Sequence, residues 1–396
     1  MDLDAFLGLL TPRGQKALAE AAELVGADPV AAATRLRRTY DASITSAALT
    51  QAALRERAKV KFGDDAARMY FTPHGLEQAT HGEVAAHRVR RLASLLPGLD
   101  GLRVADVCCG IGGDLITLAR AGCVVDAADL DPLTVAVARA NADALGVGER
   151  VRIRVADAAD VDPSAFDLLF ADPARRTSRG RTFDPLAYSP SWPVVVDLLR
   201  RAPAACVKVA PGLPYDLIPG GATAEWVSHR GEVKEATIWT GALGYGGAGR
   251  LATLLPGGHT LSPTGAVAAV GPLGAYLYEP DGAAIRAHLV AEVADLVGGR
   301  LADPLIAYIS GDEPVDTPWA VRYEVHGAFP FNLKRLRKEL RDREIGNVTI
   351  KKRGSALDVE KLRRDLRLSG EKSATIVLTR VMDQPFALLC SPSRPA

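Results

Sequence analysis

The chain has 396 residues, which is more than one ordinary hydrophobic core needs and predicts two or three domains. Apolar residues make up 48% and charged residues 24% of the sequence, as is typical of a soluble globular protein. The net charge of +1 excludes a uniformly basic or acidic protein, so the contacts of any charged partner must come from local clusters.

Cysteine usage and apolar runs indicate the compartment. The five cysteines contain no CxxC pair and the histidines show no common ligand spacing, so we expect neither disulfides nor a metal site. The acidic start differs from the basic start of a secretory signal, and no apolar run reaches the ~20 residues of a membrane-spanning helix. These features predict a cytoplasmic protein with no membrane partner.

Residues 1–95 are predicted to form an N-terminal helical domain. Apolar residues recur at three and four positions in LDAFLGLL and in KALAEAAELV, which is the helical period. Thr11 followed by Pro12 indicates the start of a helix, with threonine as its cap and proline in the first helical position.

From Leu102 onwards the pattern changes to short strands that alternate with helices. The strand runs are LRVAD, CVVDAAD, VRIRVAD, DLLFAD and ACVKVAP, and amphipathic stretches separate several of them. This rhythm predicts a parallel sheet with right-handed crossovers, in which all the strands end at one edge. Ligands bind at that edge, so we expect the functional site within residues 96–275.

The last third of the chain is predicted to be α/β as well. Residues 276–321 indicate a small ferredoxin-like segment of strand, helix and strand, and residues 322–396 a basic α/β domain. Between Phe331 and Gly370 there are 13 Lys and Arg against 6 Asp and Glu. Such an excess favours nucleic-acid binding, although solvated helix faces can give the same count.

Acidic residues stand at the tips of four successive predicted strands, at Asp106, Asp129, Asp157 and Asp172. A glycine-rich turn follows the first strand, where Gly110, Gly112 and Gly113 let the backbone approach a ligand closely. A dinucleotide site would need a further glycine where Leu115 stands. Each acid could instead cap the next helix, as we expect for Asp131, but capping does not explain all four.

The motifs DVCCGIGGD, AADLDP, RVADAAD and ADPAR resemble those of class I S-adenosylmethionine-dependent methyltransferases. The resemblance implies a Rossmann-like α/β sheet and S-adenosylmethionine as the cofactor. It implies that the first motif holds the methionine part, Asp129 the ribose and Asp157 the adenine. The implied cofactor-binding residues are Asp106, Cys108, Gly110, Gly112, Gly113, Asp129, Leu130, Asp157, Ala158 and Asp172.

A narrower resemblance rests on FTPHGLEQATHGEVAAHR, on DPAR and on the basic tail. These features are similar to bacterial methyltransferases that carry a C-terminal THUMP-like domain, whose cores resemble trimethylguanosine synthases and other nucleic-acid amine methyltransferases. THUMP domains bind RNA, so the resemblance implies a tRNA or rRNA substrate. It also favours Glu77, Gln78 and Thr80 as a polar lid over the cofactor.

Asp172 and Pro173 are the catalytic residues that this resemblance implies. The related amine methyltransferases continue with a proline and an aromatic residue, where this chain has Ala174 and Arg175. A guanidinium can stack on a base and grip phosphate, and Tyr188 or Trp192 could supply a stacking face unless they pack in the core. The predicted substrate-binding residues are Arg175, Arg176, Lys351, Lys352 and Arg353.

The sequence therefore predicts transfer of a methyl group to a base nitrogen of RNA, with the basic domain binding the RNA. Two alternatives remain at this point. One is a methyltransferase that acts on a small molecule, for which the basic tail would have no use. The other is an inactive protein that binds S-adenosylmethionine and RNA.

Overall fold

The computed structural model describes residues 1–174, 176–177, 180–181, 188–244 and 249–392, the two short pairs and residue 392 by their backbone alone. The chain divides into two compact units. Met1–Ala224 and Glu235–Gly249 form the first unit, and Glu225–Lys234 and Arg250–Ala396 form the second.

Helices fill the beginning of the first unit, as predicted. They are α1 (Leu3–Leu10), α2 (Pro12–Ala22), α3 (Pro29–Leu36), α4 (Ala42–Phe62), α5 (Pro73–Gln78) and α6 (Gly82–Leu95). The predicted cap is confirmed, because Thr11 Oγ1 accepts a hydrogen bond from the Gly14 N–H at 3.1 Å and Pro12 opens α2. Leu9, Ala17, Leu36 and Ala48 are buried together, so these helices pack around a small core of their own.

The alternating region forms a parallel sheet. Its elements are β1 (Arg103–Asp106), α7 (Gly113–Arg120), β2 (Val124–Asp129), α8 (Pro132–Ala144), β3 (Val151–Val155), β4 (Leu168–Ala171), the short pair β5 (Arg176–Thr177) and β6 (Gly180–Arg181), α9 (Trp192–Arg201) and β7 (Ala204–Val209). The order β3-β2-β1-β4-β7 with parallel pairing confirms the predicted topology. The carboxyl ends of these strands meet at one edge.

Antiparallel strands follow in the chain. They are β8 (Thr223–His229), β9 (Glu232–Gly241), β10 (Arg250–Leu255) and β11 (His259–Leu261). In the first unit, residues 236–241 of β9 pair antiparallel with β7 and extend the parallel sheet. In the second unit, β10 pairs antiparallel with β11.

The second unit is built on a second sheet. Its elements are β12 (Tyr276–Pro280), α10 (Gly282–Arg286), α11 (Val290–Leu296), β13 (Arg300–Asp303), β14 (Ile306–Gly311), β15 (Ala320–Pro330), α12 (Leu333–Asp342), β16 (Ile345–Lys352), α13 (Val359–Leu366), β17 (Lys372–Val381) and β18 (Gln384–Pro392). The strand order is β13-β14-β12-β15-β18-β17-β16, so the strands of residues 276–311 and 320–392 share one sheet. The predicted helix IRAHLVAEVADLV is divided into α10 and α11, because His288 has a φ of 54° and interrupts the helical backbone.

Helices α12 and α13 cover one face of this sheet. Leucines spaced by four residues, Leu336 with Leu340 and Leu362 with Leu366, turn one side of each helix into the core. The other sides carry exposed cations, which we call the basic helical face. Its residues are Lys334, Arg335, Lys338, Arg341, Lys361, Arg363, Arg364 and Arg367.

Membrane-spanning helices and metal-binding clusters are both absent from the described residues. None of their helices is both long enough and apolar enough to cross a bilayer. They also contain no group of three or more His, Cys, Asp or Glu side chains that could hold a metal ion.

Candidate cofactor and substrate site

A cavity of about 400 Å³ lies at the carboxyl edge of the parallel sheet. This volume is within the range of small-molecule sites. Nine of the predicted cofactor-binding and catalytic residues line it, namely Cys108, Gly110, Gly113, Asp129, Leu130, Asp157, Ala158, Asp172 and Pro173. The structure thus brings residues from the ends of β1, β2, β3 and β4 to one cavity.

The glycine-rich turn after β1 forms part of the cavity wall. Gly110 and Gly112 have φ values of 52° and 88°, which favour glycine because it has no Cβ. Helix α7 begins directly after Gly112, so the free N–H groups of its first turn lie next to the cavity. Gly75 of α5 approaches the same turn, and a Cβ there would come within 2.3 Å of Ile111 Cγ2.

Asp129 at the end of β2 is fixed by backbone donors. Its Oδ2 accepts from the Gly110 N–H at 3.1 Å, and its Oδ1 accepts from the Asp131 N–H at 3.1 Å. Burial raises the pKa of Asp129, and the donors at Asp131 and Gly110 oppose that shift. Each carboxylate oxygen can accept a second hydrogen bond, so Asp129 can still bind hydroxyl groups of a ligand.

Asp157 at the end of β3 lines the cavity and also acts as a cap. Its Oδ1 accepts from the Ala159 N–H at 2.9 Å and closes the short 3₁₀ turn Ala158–Asp160. The capping alternative therefore applies to one oxygen of this residue. It applies fully to Asp131, as predicted, because Asp131 accepts from the N–H groups of Leu133 and Thr134 at the start of α8.

Asp106 lies beneath the cavity and is fully buried. Its Oδ1 accepts from the Cys108 N–H at 3.3 Å, while its Oδ2 has no hydrogen-bond partner among the residues that the structure describes. Burial, and next the carboxylate of Asp114, raise the pKa of Asp106 well above its usual value. A buried oxygen without a donor is costly unless a ligand supplies one.

The thiols of Cys108 and Cys109, which follow Asp106 in the chain, are unreactive. Burial, and next the negative charge of Asp106, raise the pKa of both Cys108 and Cys109 well above the usual value. A thiol in such surroundings stays protonated and is a poor nucleophile. Cys108 can therefore contribute an apolar contact to the cavity, as predicted for a cofactor-binding residue, but not covalent chemistry.

Asp172 at the end of β4 is paired with a lysine that sequence analysis did not identify. Its Oδ2 lies 2.5 Å from Nζ of Lys208 in β7, and the Lys208 side chain is only 5% exposed. The signal was present in the sequence, because Lys208 is a cation inside the apolar run ACVKVAP and lysine is almost never buried without a partner.

Thr80 extends this contact across the cavity wall. Its hydroxyl accepts from Lys208 Nζ and donates to Asp114 Oδ2, each at 2.8 Å. Asp114 also binds the buried guanidinium of Arg88, which in turn binds Glu235. A chain of buried polar contacts therefore connects Asp172 to α6, α7 and β9.

Lys61 of α4 holds the loop that carries Thr80. Its ammonium donates to the carbonyl oxygens of Leu76, Glu77 and Ala79 at 2.8, 2.9 and 2.7 Å. Glu77, Gln78 and Thr80, predicted as a polar lid, all line the cavity. The loop is therefore tied from both sides, by Lys61 and by the Thr80 hydroxyl.

The predicted stacking residues do not reach the cavity. Tyr188 is 5% exposed and Trp192 is 4% exposed, and neither is among the described residues that line it. Trp192 instead donates its indole N–H to the Leu217 carbonyl at 3.2 Å. The core alternative therefore applies to both aromatic residues.

The predicted substrate-binding arginines and lysines are placed differently from one another. Arg175 lies outside the described residues, and Arg176 is described by its backbone alone. Lys351 binds Glu279, and the Arg353 guanidinium also lies 3.9 Å from a Glu279 oxygen. Lys352 donates instead to the Leu357 carbonyl at 2.9 Å. Lys351, Lys352 and Arg353 thus do not form one patch, because successive side chains of a strand alternate between its faces.

Comparison with family models divides the chain into matched regions. A methyltransferase-domain model matches residues 104–177, and a THUMP domain-like model matches residues 320–392. A model for a domain of unknown function matches residues 2–58. The first match includes the glycine-rich turn, Asp129, Asp157 and Asp172, and the second includes the basic helical face.

Comparisons with individual proteins give relatives that match nearly the whole chain and one that matches a third of it. An uncharacterized S-adenosylmethionine-dependent methyltransferase of Mycobacterium tuberculosis is 34% identical over 356 residues, 86% of this chain and 95% of that protein. A release factor glutamine methyltransferase of Chlorobaculum tepidum is 37% identical over 141 residues, 33% of this chain and 44% of that protein. A crystal structure from Porphyromonas gingivalis W83, provisionally named a methyltransferase, has a TM-score of 0.76 at 19% identity and covers 96% of this chain and 99% of its own.

Proposed function

Because this chain belongs to the S-adenosylmethionine-dependent methyltransferases, we propose that it transfers a methyl group to a base nitrogen of RNA. It is a class I enzyme with a THUMP-like C-terminal domain, and its cofactor is S-adenosylmethionine. The sulfonium group supplies the methyl and leaves as a neutral thioether, so the protein has to position the acceptor and exclude water. In this proposal, residues 96–275 bind the cofactor and residues 322–396 bind RNA.

The residues at the cavity fit this cofactor. Oδ2 of buried Asp106, which has no partner among the described residues, is suited to bind the ammonium group of the methionine part. The backbone of the turn from Gly110 to Gly113 is suited to bind the carboxylate of the methionine part. Asp129 would accept the ribose hydroxyls. Around the adenine, Asp157 would accept the exocyclic amine, with Leu130 and Ala158 as apolar contacts.

Asp172 is the residue that we assign to the acceptor. It lines the cavity beside Pro173, and the described residues give its carboxylate one partner, Lys208, on Oδ2. Its Oδ1 can therefore accept an N–H of the acceptor base and aim the nitrogen lone pair at the methyl group. The meeting of Asp129, Asp157 and Asp172 at one cavity is the observation that carries the proposal.

The RNA part of the proposal rests on the second unit. The THUMP domain-like match at residues 320–392 contains α12 and α13, whose exposed sides form the basic helical face. Phosphate contacts supply most of the sequence-independent affinity for nucleic acids, and clustered exposed cations make such contacts. RNA binding by Lys351, Lys352 and Arg353 stays a prediction, since the side chain of each of them already has an intramolecular partner.

A transfer assay tests both parts of this function. The protein is incubated with S-adenosylmethionine labelled in the methyl group and total RNA from cells that lack the gene. We expect label in RNA that ribonuclease releases. In Asp172→Asn transfer should fall about 100-fold or more, with cofactor affinity unchanged within about threefold.

Asp162→Asn is the matched control, because Asp162 is an exposed acid that caps a short 3₁₀ turn, pairs with Arg201 at 3.9 Å and is not among the described residues that line the cavity. This variant should keep full transfer activity. Label found only in small molecules would overturn the RNA assignment, and full activity in Asp172→Asn would remove Asp172 from the mechanism.

A further inference from the structure

The ion pair of Asp172 and Lys208 lies where the proposed reaction takes place. Lys208 Nζ has contacts to Asp172 Oδ2 at 2.5 Å and to Thr80 Oγ1 at 2.8 Å. The Lys208 side chain is 5% exposed, while that of Asp172 is 25% exposed and lines the cavity. The buried cation thus lies behind the carboxylate, on the side away from solvent.

Stability does not explain this arrangement well. Removing two charges from water costs several kcal/mol for each ion, and replacing a buried pair with apolar residues is often neutral or stabilising. Buried charges that are kept beside a cavity are therefore candidates for a role in function. Burial alone would lower the pKa of Lys208, but Asp172, Glu235 and Asp114 outweigh it and raise the pKa, so the lysine stays charged.

We propose that Lys208 is a positioning residue whose ammonium charge holds the Asp172 carboxylate in place and leaves its Oδ1 as the acceptor that faces the substrate. This inference rests on the proposed role of Asp172. The Thr80 hydroxyl accepts a hydrogen bond from the ammonium and fixes where Lys208 Nζ lies. Because Thr80 also donates to Asp114, the orientation of the ammonium is coupled to the start of α7.

The surroundings show why Asp172 needs this cation. Besides Lys208 on β7, the groups around it are mostly acids or neutral thiols: Asp106 on β1, Cys108 and Cys109 in the following turn, Asp114 on α7, Asp129 on β2 and Glu235 on β9. Arg88 on α6 is occupied by Asp114 and Glu235. Without Lys208, a negative charge on Asp172 would face these carboxylates with no cation of its own among the side chains that the structure describes. In such a variant the carboxylate would bind a proton at higher pH than in the wild type.

The pH dependence of methyl transfer tests the inference. Initial rates are measured from pH 5 to pH 9 with saturating S-adenosylmethionine and RNA from cells that lack the gene. In Lys208→Met we expect a loss of about 100-fold at pH 7. We also expect the acid limb of the profile to move upward by about one pH unit or more, with cofactor affinity unchanged within about threefold. Lys208→Arg, which keeps the charge, should keep the acid limb of the wild type.

Thr80→Val gives a second test that leaves the ion pair in place, and it carries the test if Lys208→Met does not fold. It should lower the rate at saturating S-adenosylmethionine by about three- to tenfold, as expected for the removal of one hydrogen bond. An unmoved acid limb in folded Lys208→Met, or a wild-type rate in Thr80→Val, would overturn the inference. Asp172→Asn separates the two claims, since its full activity would overturn the role of Asp172 itself.

Discussion

The amide N–H of Gly110 donates to Oδ2 of Asp129 at 3.1 Å, and this hydrogen bond joins the turn after β1 to the end of β2. The backbone that is proposed to hold the methionine part and the carboxylate that is proposed to hold the ribose thus fix each other's position. A ligand that binds both parts meets a site that is already formed, which limits the entropy cost of ordering the site on binding.

Asp129→Ala should weaken the binding of S-adenosylmethionine by about 1–3 kcal/mol, which is about ten- to a hundredfold, as expected for charge-assisted hydrogen bonds. Calorimetry measures the affinity. Asp131→Ala is the matched control, because it keeps the backbone N–H that binds Asp129 and removes only the cap of α8. It should cost stability but no affinity, and equal affinity in the two variants would remove Asp129 from the site.

Asp106→Asn should make the ligand-free protein relatively more stable at high pH. The pKa of Asp106 is raised by burial, so the folded state holds a proton that the unfolded state has already released. The unfolding free energy of the wild type therefore falls as pH rises from about 4, the ordinary range of aspartate, through the raised pKa.

The asparagine variant has no such titration, so its melting temperature relative to wild type should rise between pH 5 and pH 8. The same variant should bind S-adenosylmethionine about tenfold or more weakly, since the amide lacks the charge that an ammonium prefers. A difference in melting temperature between the two proteins that stays constant across this pH range would contradict a raised pKa of Asp106.

Lys61→Ala should loosen the loop that carries Glu77 and Thr80. The variant leaves the Leu76, Glu77 and Ala79 carbonyls without the ammonium, at a cost of about 1–3 kcal/mol in unfolding free energy. We expect cofactor affinity to fall about five- to tenfold by calorimetry, since a mobile loop has to be ordered on binding. Lys59→Ala is the control, because Lys59 is exposed on the same helix and its ion-pair partner in the described part of the chain is Glu56. Equal affinity in both variants would exclude an effect of the loop on the site.

Replacing Lys334, Lys338, Arg341 and Arg364 with Gln should weaken RNA binding and flatten its dependence on salt. For each phosphate that the variant no longer binds, the slope of log K against log salt should decrease by about 0.7 for single-stranded RNA. Fluorescence anisotropy with labelled RNA at several salt concentrations measures this slope.

The comparison variant for this test is Lys351→Gln with Arg353→Gln, whose cations bind Glu279. We expect this pair to change the slope less than the four substitutions on the basic helical face. A larger change of the slope in the double variant would assign the RNA contacts to Lys351 and Arg353 instead.

The arrangement of the cavity was largely predictable, because strand ends can be recognised locally and the topology of a parallel sheet gathers them. Asp129, Asp157 and Asp172 could be assigned to one edge from the alternation of strands and helices alone. The contacts of Lys208 could not, since Thr80 is 128 residues away in the sequence and no local pattern relates the two. Lys351 and Lys352 are adjacent in the sequence and were predicted to bind the same substrate. Their side chains nevertheless lie apart, because neighbours on a strand point to opposite faces of the sheet.

Mass spectrometry of nucleosides from digested RNA tests the central claim most directly. RNA is taken from cells with the gene, from cells without it, and from cells that carry only the Asp172→Asn variant. We predict one methylated nucleoside that is present in the first sample and absent from the other two. Identical nucleoside profiles in all three samples would contradict the proposal that this protein methylates RNA.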